Sequence, residues 1–361
     1  MDGLQLLACV LSGLAVLVLP VRSSRPRAKV SNLRRGCIDG FEQGEEWLNP
    51  AWACDDGVRK KIRDQLEHGV PVIVKDFLKP AIAEQLRDIV VQGLMESADA
   101  ASSQRNHGGR FTKLEDLPID LKNAYHNLAE QNSCQKVRQA ENALDGFQWR
   151  SHTQRWNNHS LYSWVQHRFL QQSVRDVMSD ISGAPVDKHG GNFFDTDVNY
   201  FAPGDYYATH NDNAEGRYLS VTLQMSLQWD PEWGGHFTWC GPSGQAFTVE
   251  QGFNRAVLFP VNSESVHFVE PVWLERKKSN TGPPPLTMTG ASRVTLQGWY
   301  SDPCAITQNE GDHRDLEMAE YRRAHPCHSV SEAQSRHSDW ASTVEERMRN
   351  KPQTPVLITN D

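Results

Sequence analysis

The feature that most limits the fold of this chain is a succession of short β-rich segments between residues 192 and 302. They are rich in Val, Thr, Phe, Tyr and Trp, and glycine or proline turns separate them. The segments are NFFDTDVNYF, YLSVTLQMSLQW, GGHFTWC, QAFTVE, RAVLFPV, VHFVEPVW and SRVTLQGWYS. Short strands that follow one another with turn signals between them are typical of an antiparallel sandwich or barrel. The sequence therefore predicts a mainly β fold.

Two segments upstream have the spacing of helices, and the first of them follows a short predicted strand. In the first, Pro80 suits the opening helical turn. Apolar residues recur on one helical face at Ile82, Leu86, Ile89 and Val90. The second helix is predicted from Leu161, Trp164, Val165, Phe169 and Val177, with Gly183 as its cap. We expect these helices to flank one face of the β domain.

The first residues differ from the rest of the chain, because residues 4–21 carry no charge and Arg22 follows them at once. This pattern predicts a signal peptide over residues 1–23, cleaved near Ser23. A type II membrane anchor is the alternative, since the run reaches the short end of the ~20 residues needed to span a bilayer. Both interpretations direct the chain to the secretory pathway, to the endoplasmic reticulum lumen or outside the cell. We then expect an extension over 24–69, a domain over 70–303 with its core at 192–303, and a polar tail over 304–361.

Charge and cysteine content are consistent with that route. A formal net charge of −8 gives no electrostatic footprint for nucleic acid, which usually needs a basic face or stripe. Of the seven cysteines, Cys9 falls in the predicted signal and six remain, an even set that suggests disulfides. Cys37 with Cys54 and Cys304 with Cys327 are close enough in sequence to form clips, although free buried thiols stay an alternative. Asn158 is a potential glycosylation acceptor.

A metal site is the first chemical possibility that the sequence offers. Three His-x-Asp pairs are present: His210 with Asp212, His313 with Asp315, and His337 with Asp339. A two-histidine, one-carboxylate iron site needs a second histidine from a distant strand, and His267, which opens a later predicted strand, supplies one for the first pair. In an extended segment residues two apart share a side, so His210 and Asp212 are expected to face one ion. The alternative is that Asp212 only orients His210 near a turn.

An anion site is the second possibility. Arg293 and Thr295 share one face of the strand SRVTLQGWY. An arginine inside a barrel needs an anion, and its planar fork of donors matches a carboxylate. An ordinary ion pair at a strand edge is the alternative for Arg293.

The order of these motifs resembles that of the iron(II)- and 2-oxoglutarate-dependent dioxygenases, in particular the prolyl 4-hydroxylase-like group, over about residues 70–303. YFAPGDYYATHND, RYLSVTLQMSLQWDPEWGGHF, VHFVEPV and RVTLQGWY carry the resemblance. It implies a double-stranded β-helix of the jelly-roll or cupin-like type. Three departures stand out: Arg293 replaces the lysine of collagen-type enzymes, His236 follows the glycine pair where an acidic residue is common, and an insertion occupies 274–291.

The resemblance also implies roles for individual residues. His210, Asp212 and His267 would hold Fe(II); Arg293, Thr295 and Tyr200 would bind 2-oxoglutarate. O2 would be the second co-substrate, and L-ascorbate would support the reaction. Tyr207 and Trp229 are candidates to stack on a proline ring, although aromatic residues more often only fill a core.

The implied reaction is hydroxylation of an unactivated C–H bond, in first place that of a proline in a peptide or protein. Nucleic acid is not expected as a partner, and a membrane is expected only if the N-terminal segment stays uncleaved. A lysine or a small molecule is the alternative substrate. A secreted, non-catalytic cupin-like binding module is the alternative of a different class.

Overall fold

A computed structural model describes most of the chain from residue 47 onward. The described residues are 47–99, 119–127, 133–142, 149–150, 152–154, 165, 167–186, 193–201, 203–214, 216–242, 244, 246–273, 293–306, 323–324, 326–327, 329–350 and 354–359. The predicted signal over 1–23, the acceptor Asn158, the His313 pair and the insertion at 274–291 lie outside these residues.

The helices of the described residues lie mainly before and after the β-rich region. They are α1 (Pro50–Ala53), α2 (Asp56–Leu66), α3 (Pro80–Asp99), α4 (Ile119–His126), α5 (Ser133–Asn142), α6 (Gln172–Ser182) and α7 (Val330–Asn350). The strands are β1 (Val72–Lys75), β2 (Trp149–Arg150), β3 (His152–Gln154), β4 (Phe193–Phe201), β5 (Tyr206–His210), β6 (Arg217–Met225), β7 (Phe237–Trp239), β8 (Phe247–Val249), β9 (Phe253–Pro260), β10 (His267–Val269), β11 (Arg293–Ser301) and β12 (Val356–Ile358).

The strands form two sheets. The larger has the order β12-β1-β9-β6-β11-β4-β3, and the smaller has the order β2-β5-β10-β7-β8. Neighbouring strands are antiparallel except for β1 and β12. From β4 to β11, consecutive strands alternate between the two sheets, apart from the adjacent pair β7 and β8, as in a double-stranded β-helix. The predicted fold class, mainly β with flanking helices, is confirmed.

The predicted strand–turn–helix unit is present as β1 and α3, with Pro80 as the first residue of the helix. Only the C-terminal part of the second predicted helix is present as α6, because a turn at residues 170–171 interrupts the predicted segment, and residues 161–164 lie outside the described residues. The C-cap of α6, Gly183, has a left-handed φ of 65°. A residue without Cβ adopts that conformation without steric cost. Two residues recognised in the sequence therefore mark helix ends: Pro80 at the start of α3 and Gly183 at the end of α6.

The core between the two sheets is aromatic. Phe237 and Trp239 of the smaller sheet pack against Val257 and Phe259 of the larger one. Because side chains alternate along a strand, the residues between them point outward. On the larger sheet these outward residues meet α2, α3 and α6 in a second cluster that includes Leu86, Val177 and Leu258.

Helices cover both outer faces of the β domain, whereas the sequence predicted helices on one face only. The second helical layer comes from a polar stretch that had no clear period, and it consists of α4 and α5. Tyr125 of α4 packs against Tyr206 and Phe268 of the smaller sheet. A disulfide between Cys134 and Cys240 ties α5 to the end of β7.

The C-terminal part is integrated into the fold, although the sequence predicted a polar tail. α7 inserts Val344 and Met348 into the aromatic core, and β12 adds a parallel strand beside β1. The predicted disulfide between Cys304 and Cys327 is confirmed. Cys54 is also disulfide-bonded, while Cys37 lies outside the described residues. None of the described helices combines the length and the apolar character that a membrane span requires.

Candidate metal and co-substrate site

The two predicted histidine ligands are direct neighbours in the smaller sheet. β5 ends at His210 and β10 begins at His267, and these residues pair in the antiparallel register. Their ring centroids lie 4.2 Å apart. His267 is 2% exposed and stacks on Phe237, so the aromatic core forms one wall of the site.

Asp212 lies close to both histidines, but the strand alternation predicted from the sequence is not the reason. β5 stops at His210, and Asp212 has a positive φ of 54°. This turn, and not an extended chain, directs the carboxylate back toward the histidines. Asp212 Oδ1 lies 3.2 Å from His210 Nε2, and Asp212 Oδ2 lies 3.5 Å from His267 Nε2. One donor atom from each of the three residues lies within 4.8 Å of the others.

The imidazole rings are oriented for metal binding. His210 Nδ1 contacts the carbonyl of Ala208 at 2.9 Å, and His267 Nδ1 contacts the carbonyl of Ser265 at 2.9 Å. A carbonyl partner fixes Nδ1 as the protonated nitrogen, which leaves Nε2 as the ligand atom. His267 Nε2 is buried and has no hydrogen-bond partner among the described residues. The donor set therefore fits an octahedral metal with three protein ligands.

Electrostatics favour the protonation states that a metal requires. Burial acts to raise the pKa of Asp212, but the charges of His267 and His210 hold that pKa well below its usual value. Burial, together with His267, lowers the pKa of His210 against the opposing effect of Asp212. Both shifts are in the direction of the ionised carboxylate and the neutral imidazole that metal ligation requires.

Arg293 lies at the start of β11 and is 1% exposed. Its guanidinium stacks on Phe201 at 3.9 Å, and Nε donates to the carbonyl of Gly235. A Cβ at Gly235 would lie 2.9 Å from Arg293 Cδ, so only glycine allows this approach. Burial lowers the pKa of Arg293 to about 9, against a smaller opposing effect of Glu270. Nη1 is buried without a hydrogen-bond partner, which suits a bound carboxylate.

Gln224, which was not predicted as a site residue, faces the same side of the sheet as Thr295. Residues directly opposite each other on antiparallel strands share a face, and Thr295 pairs with Gln224 of β6. The amide of Gln224 is buried with neither its nitrogen nor its oxygen hydrogen-bonded. Cross-strand pairing could have identified it only once the register was known.

Tyr200 lies on the opposite face of the sheet from Arg293. Its predicted role as a third donor to 2-oxoglutarate is therefore corrected. It pairs with Val294, and both belong to the cluster under the helices. Arg293 instead pairs with Phe201 and shares its face. Because successive side chains on a strand point to opposite faces, Tyr200 points away from the barrel interior.

The two predicted substrate aromatics are in different environments. The ring of Tyr207 is half-buried and lies 4.5 Å from that of His210. Trp229 donates its indole N–H to the carbonyl of Gly234 and packs edge-on against Trp233. Tyr207 is therefore beside the metal ligands, whereas Trp229 stabilises the turn that carries the glycine pair.

Comparison with known proteins agrees with the site. Residues 196–282, which include all three candidate metal ligands, match the family described as the 2OG-Fe(II) oxygenase superfamily. The predicted resemblance to this superfamily is confirmed. For an oxygenase of this superfamily the cofactor is Fe(II), and the co-substrates are 2-oxoglutarate and O2. No protein of the curated set matches the chain significantly.

Several solved structures resemble the chain at low identity. A prolyl-4-hydroxylase from Pseudomonas putida is 16% identical with a TM-score of 0.40, and the match covers 67% of this chain and 98% of that one. A Trichoplax adhaerens prolyl hydroxylase, solved with a hypoxia inducible factor peptide fragment, is 15% identical with a TM-score of 0.35, covering 73% of this chain and 92% of that one.

Proposed function

We propose that this protein is an Fe(II)- and 2-oxoglutarate-dependent oxygenase that hydroxylates an unactivated C–H bond, specifically that of a proline in a peptide or protein. The observation that carries the proposal is the placement, inside one barrel, of a cluster of candidate metal ligands and of a buried cation whose Nη1 has no hydrogen-bond partner among the described residues. One is the His210, Asp212 and His267 cluster, and the other is the Arg293 guanidinium. A secreted binding module would have no need for a buried cation beside a metal cluster.

The residues divide into two groups by what they would bind. His210, Asp212 and His267 would hold Fe(II), which when bound supplies the power to oxidise a C–H bond with O2 and 2-oxoglutarate. Arg293 Nη1 is placed to bind the distal carboxylate of the keto acid, with Thr295 and the Gln224 amide as further hydrogen-bonding groups on the same face. The rings of Phe237 and Phe259 pack against His267 and shield that ligand from solvent.

Tyr207 supports a cyclic amino acid as the substrate. Its half-buried ring beside His210 offers an apolar face next to the position where a C–H bond must be placed. A proline ring can pack on such a face without leaving a polar group unpaired. A lysine side chain or a small molecule is the alternative substrate, and the hydroxylation assay described below distinguishes a lysine product from a proline product.

We propose that the protein works in the secretory pathway, in the endoplasmic reticulum lumen or outside the cell. The disulfides between Cys134 and Cys240 and between Cys304 and Cys327 support an oxidising compartment. A membrane association would then depend on whether the N-terminal segment is retained.

The experiment is incubation of the full chain with Fe(II), 2-oxoglutarate, L-ascorbate and proline-containing peptides, followed by mass spectrometry. The expected result is addition of one oxygen atom at proline and matching consumption of 2-oxoglutarate. The Asp212→Ala variant is the control and should give neither. Oxygen addition at lysine would refute the substrate class, and metal binding without 2-oxoglutarate consumption would refute the enzyme.

A further inference from the structure

Beyond Thr295, the inward face of β11 continues with Gln297 and Trp299, and both side chains contact the metal-binding carboxylate. Gln297 Nε2 donates to Asp212 Oδ2 at 3.1 Å, and Trp299 Nε1 donates to the same oxygen at 2.8 Å. The hydroxyl of Ser220 lies 3.4 Å from it. One strand therefore carries Arg293 at one end and the supports of Asp212 at the other.

These contacts distinguish the two oxygens of Asp212. A carboxylate oxygen has two lone pairs, and Gln297 and Trp299 supply two donors to Oδ2. Neither of them donates to Oδ1, which lies 3.2 Å from His210 Nε2. Although Oδ2 lies 3.5 Å from His267 Nε2, its donors make Oδ1 the oxygen that is more available to a metal.

The indole of Trp299 is itself held in place. The guanidinium of Arg217 lies 4.0 Å from the centre of its ring, and Arg217 Nη1 donates to the backbone carbonyl of Asp212 at 3.3 Å. Arg217 thus contacts both partners of the hydrogen bond between Trp299 and Asp212. A cation over an indole face is an attractive arrangement, and it restricts the direction of the N–H.

We propose that Trp299 and Gln297 are positioning residues that limit Asp212 to metal binding through one oxygen. With the two histidines this gives three protein ligands and leaves three positions of an octahedron for co-substrates. If Oδ2 were released, Asp212 could bind through both oxygens and occupy one of those positions. The inference rests on the proposed metal site, but it concerns residues outside the ligand set.

The test uses Co(II) in place of Fe(II) and needs no turnover. Calorimetry gives the Co(II) affinity of the full chain, and the visible absorption of bound Co(II) reports its coordination. Trp299→Phe and Gln297→Leu each remove one donor while keeping most of the side-chain volume. Trp52→Phe is the matched control, because Trp52 is a buried tryptophan that donates to a carbonyl, that of Phe77, outside the site.

We expect Trp299→Phe and Gln297→Leu each to weaken Co(II) binding about tenfold and to alter the visible spectrum, in line with losses of 10–100-fold on removal of such partners. Trp52→Phe should change neither. If both site variants kept wild-type affinity and spectrum while His210→Ala lost binding, the inference would be wrong and the proposed function would stand. If the wild-type chain bound no Co(II), both would fail. Should Trp299→Phe not fold, Gln297→Leu decides alone.

Discussion

Two His-x-Asp pairs can be compared in the described residues, and they have opposite fates. His210 is the last residue of β5, Asp212 follows in the turn, and both have a donor atom close to one of a second histidine. His337 and Asp339 lie on α7, where residues two apart do not share a face. His337 Nε2 instead donates to the backbone carbonyl of Arg217 at 2.8 Å. The same His-x-Asp pattern forms a candidate metal-ligand pair at the end of β5 and supplies a hydrogen bond from α7.

The comparison shows that backbone conformation, and not spacing, decides whether such a pair can hold a metal. At the first pair the positive φ of Asp212 turns the carboxylate toward the rings. A helix allows no such turn without breaking its hydrogen bonds. A third element, the antiparallel pairing of His210 with His267, then completes the site.

The largest effect is expected from the ligands themselves. His210→Ala, Asp212→Ala and His267→Ala should each abolish tight Fe(II) binding and turnover, because three ligands are the minimum for this type of site. Asp339→Ala should bind Fe(II) as the wild type does. Calorimetry under anaerobic conditions measures both. Full activity in Asp212→Ala would eliminate the assignment of the first pair.

The next largest effect is expected at Arg293. Removal of one partner of a buried charge pair costs about 3–5 kcal/mol, and ~1.4 kcal/mol corresponds to tenfold in affinity. Arg293→Ala should therefore weaken 2-oxoglutarate binding to the metal-loaded protein at least ~100-fold, with metal binding unchanged. Arg293→Lys should retain part of the affinity, since it keeps the charge and loses the fork.

Arg336→Ala, on the helix of the second pair, is the matched control and should leave the 2-oxoglutarate affinity unchanged. Arg255 is a less suitable anchor, since its guanidinium donates to the carbonyl of Glu250 in an exposed position. An unaltered dissociation constant in Arg293→Ala would transfer the role to another arginine and refute the reading of β11.

A smaller effect is expected on the melting temperature, because ligand binding should stabilise the protein only if the first His-x-Asp pair is intact. A ligand that binds only the folded state stabilises it by mass action, by about 2.7 kcal/mol at 100 times its dissociation constant. Metal and 2-oxoglutarate together should raise the melting temperature of the wild type and of Asp339→Ala. They should not raise that of Asp212→Ala. Differential scanning calorimetry provides the measurement, and an equal rise in all three proteins would contradict it.

Much of the site was readable from the sequence because its signals are local. Strand alternation placed Arg293 and Thr295 on one face, and the order of motifs selected His210 and His267. Gln224, Gln297 and Trp299 were missed as site residues, since their roles depend on which strands are neighbours and in which register. The assignment of Tyr200 was wrong for the same reason. Neighbouring residues of β4 face opposite sides of the sheet, so Phe201 faces the barrel interior and Tyr200 faces the helices.

The fold class was predicted correctly, but some of the individual helices were not. The strands and the two periodic helices were recognisable, but α4 and α5 come from polar sequence and are defined by packing on the smaller sheet. α7 was also missed, because only three of its residues, Ala333, Val344 and Met348, are buried. A helix with so narrow an apolar stripe has almost the composition of a solvated tail.

The smallest effect is expected at His337, and it bears directly on the comparison. His337→Ala should leave Fe(II) and 2-oxoglutarate affinity within about twofold of wild type, because the described contacts of His337 are the hydrogen bond to the Arg217 carbonyl and a ring contact with Trp340 of the same helix. Loss of one such hydrogen bond costs about 0.5–1.5 kcal/mol, so the denaturant midpoint should fall slightly. His337→Gln, which keeps a donor, should recover part of the stability. A loss of metal binding in His337→Ala with an unchanged midpoint would mean that the second pair contributes to the metal site, and that the two pairs are not functionally distinct.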